Sequence, residues 1–173
     1  MPSSHDYIKD KRNKNIKIFV NDKFYTRDKA QVSVFDSGFL LGDGVWSGIR
    51  YHNNKFLFLK DHLKRLFDDA KKIDLKIHLS KKEITKILSD TIKINKMKTD
   101  VHLRLVVSRG IKSTPYQDPA FTISKPTIVV IPEYKQPQES VYKKGLVLKT
   151  VKTIRGPHNV QDPRINSLSK LNC

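Results

Sequence analysis

Four of the seven glycines in the chain, Gly38, Gly42, Gly44 and Gly48, fall inside one stretch, SVFDSGFLLGDGVWSGIR, from Ser33 to Arg50. Glycine at that density marks backbone that turns tightly or lets another group come close. The spacing fits neither the dinucleotide-binding fingerprint nor the P-loop, so phosphate cradling by those motifs has no support. On residue types alone the stretch reads as a glycine-rich turn between strands. Thiol chemistry is absent in the same way. Cys173 is the only cysteine and the last residue, so no intrachain disulfide and no thiolate metal site can form.

The elements that must carry this stretch are legible from periodicity. Ile16 to Val20 and Lys23 to Tyr25 flank the turn-prone pair Asn21-Asp22, which predicts a hairpin. A strand is expected around Gln31 to Phe35, leading into the glycines. Trp46 to Tyr51 and Lys55 to Leu59 bracket His52-Asn53-Asn54 and predict a second hairpin. Leu59, Leu63, Leu66, Phe67, Ala70 and Ile73 recur at helical spacing and form one apolar stripe. Ser80 with Glu83 makes a capping-box signature ahead of a second stripe, Ile84, Ile87, Leu88, Thr91 and Ile92. Val101, Leu103, Leu105 and Val107 alternate with His102 and Arg104 as a half-buried strand does. Thr127 to Ile131 is a β-branched run with a proline at each end. Pro132 to Lys144 lacks any apolar period and reads as an interdomain connection. Leu146, Leu148 and Val151 predict one more strand, and Ser167 to Asn172 the start of a helix, so the chain is expected to be truncated there.

A chain of 173 residues with 38% hydrophobic residues can bury a real core. Its 34 Lys and Arg outnumber 17 Asp and Glu, for a net charge of +17. The lysines are spread through every expected element. The tightest basic stretch, with Lys9, Lys11, Arg12 and Lys14, reads as a flexible extension over residues 1–15. A nucleic-acid surface is therefore not expected, and neither is a membrane partner. The N-terminus has no signal-peptide core and no apolar run reaches membrane-spanning length, so a soluble, cytoplasmic protein is expected.

The run AQVSVFDSGFLLGDGVWSGIR, followed by FLFLKDHLKRLFDDAKKI and then HLRLVVSRG, resembles the N-terminal domain of the class IV (fold-type-IV) pyridoxal-phosphate-dependent aminotransferases. That family includes branched-chain-amino-acid aminotransferase, D-amino-acid aminotransferase and aminodeoxychorismate lyase. The resemblance runs from Phe19 to Pro132 in unbroken order. It implies an α+β fold: a two-layer α/β domain of the D-amino-acid-aminotransferase-like kind over residues 16–132, a connection over 133–144, and the start of a truncated cofactor-binding domain over 145–173. It also implies pyridoxal 5'-phosphate as cofactor, an amino acid and a 2-oxo acid as substrates, and a homodimer.

Carried over by position, the resemblance gives Arg65 of the DHLKRL motif a contact to the cofactor phosphate. A planar, permanently charged guanidinium suits that task, because it can hold two phosphate oxygens at once. His62, one turn earlier, is expected to be structural. Arg109 of the SRG motif and Arg104 match arginines that relatives place near the substrate carboxylate. Arg50, Trp46 and Leu41 fall where relatives line the active-site wall. Many relatives carry tyrosine at the position of Leu41 and phenylalanine at that of Trp46, so pocket shape does not transfer.

The departure from the family pattern lies at DPRINSLSKLN, Asp162 to Asn172. Relatives resemble DPRIKSLNYLN there, and the lysine of that run forms the Schiff base with the cofactor. Asn166 occupies the lysine position, and an amide cannot form that bond. Lys170 lies four residues on, roughly 5 to 6 Å along if the segment is helical, and is the candidate replacement. The expected activity is transamination of a branched-chain or D-amino acid. The alternatives are elimination of the aminodeoxychorismate lyase type, and a non-catalytic relative in which Asn166 ends the chemistry.

Overall fold

The chain turns back on itself at two pairs of residues suited to it. Lys17–Val20 (β1) and Lys23–Thr26 (β2) form an antiparallel hairpin about Asn21-Asp22, with Asn21 at φ 58°. After a short helix, Ser37–Leu41 (α1), come Gly44–His52 (β3) and Lys55–Phe56 (β4). They are joined through Asn53 and Asn54, both at positive φ, as a two-residue turn with the twist of its strands requires. Two helices follow, Leu59–Lys72 (α2) and Lys81–Ile94 (α3), then Val101–Ser108 (β5), Thr127–Tyr134 (β6) and a short helix, Glu139–Lys144 (α4). The computed structural model describes residues 10–136, 139–152, 159 and 162–169.

The strands make one six-stranded antiparallel sheet in the order β2-β1-β6-β5-β3-β4. Both long helices cover one face, α2 against β3 and α3 against β1 and β6. The alternation read along β5 is the physical cause. Val101, Leu103, Leu105 and Val107 are fully buried and join Val45 and Ile49 of β3 and Ile128 and Val130 of β6. Leu63, Leu66, Ile84 and Leu88 from the two helical stripes complete this core. The capping box at the start of α3 is present: Glu83 N–H donates to Ser80 Oγ at 3.2 Å, and Ser80 N–H donates to Glu83 Oε2 at 2.7 Å. The architecture is the expected α+β arrangement of helices on one sheet face.

Several local expectations give way. Residues 31–35 are not a strand: Asp36 N–H closes a turn onto Ser33 O, and only Asp36 makes a β-bridge, with Ile111. Lys11–Asn15, placed in the flexible extension, is a 3-10 helix capped by Asp10. Its buried Asn13 exchanges two hydrogen bonds with the backbone of Tyr134, imitating a strand partner at the end of β6. Within the stretch where no apolar period was read, β6 runs through Pro132 to Tyr134 and α4 occupies 139–144. Residues 145–151 form no regular element, although a strand was expected there. Ser167 is not helical. It makes an antiparallel bridge with Val45 on β3, an edge whose free hydrogen-bonding groups outweigh local helix preference. Lys170, Leu171 and Asn172, also placed in that helix, lie outside the described residues.

Candidate functional site

The face of the sheet away from α2 and α3 carries the alternate residues of β3 and β5. Register brings Trp46 opposite Val106, Gly48 opposite Arg104, and Arg50 opposite His102. The Arg104 guanidinium lies over the Trp46 ring, 4.2 Å from its centroid, and Arg104 is exposed. It makes no hydrogen bond or ion pair among the described residues, so its donors are open to an anion while the indole holds its plane. Gly48 makes room for the neighbouring His102. A Cβ there would meet His102 Nε2 at 2.7 Å, so the imidazole sits directly on the backbone of β3. Burial, then the positive charges of Lys135, Arg104 and Arg50, lower the His102 pKa from 6.5 to about 4. The ring is neutral at physiological pH. Arg50 is committed elsewhere, donating to Lys135 O and lying 3.6 Å from Asp100.

Residues 166–168 lie along the free edge of β3. Trp46 N–H donates to Asn166 O at 2.9 Å and Leu168 N–H to Gly44 O at 2.9 Å. The Asn166 side-chain amide donates to Trp46 O at 2.8 Å, while the Asn166 backbone N–H is turned toward Asp69 Oδ2 at 3.1 Å. The indole Nε1 of Trp46 donates to Ser167 O at 3.1 Å. Gly44 permits the approach: a Cβ on it would come within 2.7 Å of Leu168 Cδ1.

Asp69 is buried on α2, and Arg65 lies four residues earlier on the same helix, a spacing that puts the two side by side. Arg65 is exposed and makes no hydrogen bond or ion pair among the described residues. His62, one turn before it, meets the buried Ser47 hydroxyl at 3.3 Å. Its pKa is lowered by burial and by the charge of Arg65. Contact with the sheet gives His62 a packing role. Leu41 ends α1, half-buried.

Arg109, expected near the substrate carboxylate, is bonded to the fold itself. Its Nε and Nη2 donate to the two carboxylate oxygens of Asp43 at 2.6 and 3.1 Å, and Nη2 and Nη1 donate to the carbonyls of Ile73 and Asp74 at 2.7 and 2.9 Å. Those carbonyls close the C-terminal end of α2, where a cation is favoured. Four of its five N–H donors are thus spent on the fold.

For pyridoxal phosphate the described residues fit in part. Arg65 is an uncommitted guanidinium suited to a phosphate. Residue 166 does not suit the covalent link, because its amide is spent on the Trp46 carbonyl and is not an amine. Lys170 lies outside the described residues. Among those residues, no group of three or more His, Cys, Asp or Glu could hold a metal ion, and no helix is long and apolar enough to cross a membrane. His102 and Asp69 were not among the site residues expected from the sequence. The H-x-R pattern on an alternating strand, and a carboxylate inside the apolar stripe of α2, were their signals.

A Methanocaldococcus jannaschii protein, provisionally named a branched-chain-amino-acid aminotransferase, is 38% identical over 157 residues, 91% of this chain and 53% of the relative. The D-alanine aminotransferase of Listeria monocytogenes is 36% identical over 57% of this chain and 34% of its own. The branched-chain aminotransferase of the thermophilic archaeon Thermoproteus uzoniensis, solved with norvaline, superposes with a TM-score of 0.71 over 89% of this chain and 52% of that one, at 21% identity. At that identity the likeness shows the fold. The chain spans about half the length of the Methanocaldococcus relative and of the Thermoproteus structure. Residues 44–173 match the family described as amino-transferase class IV. The chain belongs to the class IV aminotransferases.

Proposed function

We propose that this chain is the N-terminal half of a pyridoxal-phosphate-dependent enzyme that moves an amino group between an amino acid and a 2-oxo acid. The observation that carries the proposal is the Trp46–Arg104 stack, an open guanidinium held beside the segment where the family keeps its cofactor lysine. Arg104 binds the substrate carboxylate, and Trp46 forms an apolar wall. Arg65 holds the cofactor phosphate. Pyridoxal phosphate, when bound, supplies the electron sink for the amino group. Lys170, four residues beyond Asn166, is the residue we assign to its covalent attachment. Relatives named for branched-chain amino acids and for D-alanine make those two classes the candidate substrates. A cytoplasmic homodimer is the proposed working form.

The test is an amino-transfer assay in a protein that joins this chain to a second half of the kind its relatives have. Formation of a 2-oxo acid from an amino acid only when a second 2-oxo acid is present supports transfer. Release of pyruvate without such an acceptor would favour elimination instead. One observation favours a second reading, a relative that keeps the fold without the chemistry: the amide at position 166. That reading predicts no turnover with any amino acid.

A further inference from the structure

We propose that Asn166 is a positioning residue: standing where the family carries its cofactor lysine, and together with Asp69, it latches residues 166–168 onto the edge of β3 and so fixes Trp46 and, through its ring, Arg104.

The hydrogen bonds along the free edge of β3 are one short of a regular ladder. With Val45 opposite Ser167, the antiparallel register sets Trp46 opposite Asn166 as a pair that should exchange two backbone hydrogen bonds. One of them is made, from Trp46 N–H to Asn166 O. The other is missing, because the Asn166 N–H is turned away to the buried carboxylate of Asp69. The Trp46 carbonyl would be left without a donor, a costly state in a half-buried strand. The Asn166 side-chain amide fills it at 2.8 Å.

Few side chains could do this. The donor must sit two bonds beyond Cβ to reach a carbonyl one strand away while its own backbone N–H points elsewhere. Aspartate has the shape and no donor. Lysine has a donor at the end of a four-carbon stem, too long and too flexible to replace a ladder bond. The effect reaches the open face because Ser167 O, next along, accepts from the Trp46 indole, and the indole carries Arg104. The residue that replaced the lysine is thus wired to the substrate side of the sheet. Assigning Arg104 to a carboxylate rests on the proposed function; the latch itself does not, so it is tested on the ligand-free chain.

Hydrogen exchange read by NMR on the full 173-residue chain decides the matter, together with the emission of Trp46, its only tryptophan. In the unsubstituted protein the Asn166 side-chain amide protons should exchange at least several-fold more slowly than those of an exposed asparagine. In Asn166→Asp and Asn166→Lys the Trp46 and Leu168 amides should exchange about tenfold faster, as the loss of one hydrogen bond with an unpaired partner dictates. Leu103 and Leu105 should keep their protection, and the Trp46 emission should shift to the red. Side-chain protons of Asn166 exchanging at the exposed rate would overturn the proposal, even where a variant fails to fold. So would variants whose Trp46 and Leu168 rates stay within twofold of the parent.

Discussion

Arg109 grips Asp43 with two hydrogen bonds, from Nε to Oδ2 at 2.6 Å and from Nη2 to Oδ1 at 3.1 Å, and uses the same guanidinium to close the end of α2. Asp43 stands at the junction of α1 and β3, so one side chain ties the glycine-rich stretch, β5 and the helix layer together. Both partners are largely buried, at 15% and 18% side-chain exposure.

Arg109→Lys should therefore destabilise the chain by about 2 to 3 kcal/mol, because a lysine cannot make the fork and leaves a carboxylate and two carbonyls short of donors. Urea unfolding midpoints measure this. A loss below about 0.5 kcal/mol would mean the clamp carries no weight.

Two glycines of β3 should differ sharply on replacement by alanine. At Gly44 the new Cβ would lie 2.5 Å from Val107 O and 2.9 Å from Ser108 Cα, backbone that cannot step aside. Overpacking of that kind costs about 1 to 3 kcal/mol. At Gly48 the obstacle is the edge of the His102 ring, which can rotate, so the cost should stay below about 1.5 kcal/mol. Thermal unfolding of the two variants side by side checks the order, and Gly48→Ala proving the worse would contradict it.

Acid should weaken the fold through its histidines. The folded protein holds His102 neutral down to about pH 4, whereas the unfolded chain takes up a proton near 6.5. A depressed pKa in the folded state gives stability that is fully present above pH 6.5 and is lost as pH falls toward 4. His62 and His78, also lowered by burial, act in the same direction. His102→Gln should make the fall in unfolding midpoint across this window shallower. An unchanged slope would show that His102 is not held neutral by the fold.

Much of this was legible in the sequence, and the exceptions have identifiable causes. The stripes of α2 and α3, the alternation of β5 and the Ser80 capping box act within a few residues, so the pattern fixes them. Ser167 turns on pairing with Val45, a partner far along the chain, while its own composition points to helix, and residues 31–35 have strand composition but close a turn and find no strand partner. Among site residues, Arg104, Arg50 and Trp46 fall on one sheet face because strand period is local. Arg109 carries the same residue type, but a carboxylate 66 positions away decides its task.

Arg65→Ala should leave stability unchanged within about 0.5 kcal/mol, since the side chain is exposed and has no described polar partner. In a protein with both halves it should lower affinity for pyridoxal phosphate by at least about tenfold, the value of a charge-assisted contact. Titration followed by cofactor absorbance reads the change. Equal affinity would remove Arg65 from the phosphate site.

The central claim, that this chain serves a pyridoxal-phosphate enzyme whose attachment point has moved off position 166, is tested most directly by borohydride reduction. The two-half protein is incubated with pyridoxal phosphate, reduced and digested, and the labelled peptide is mapped. The account predicts label on Lys170. A folded protein with no label on any lysine would contradict it.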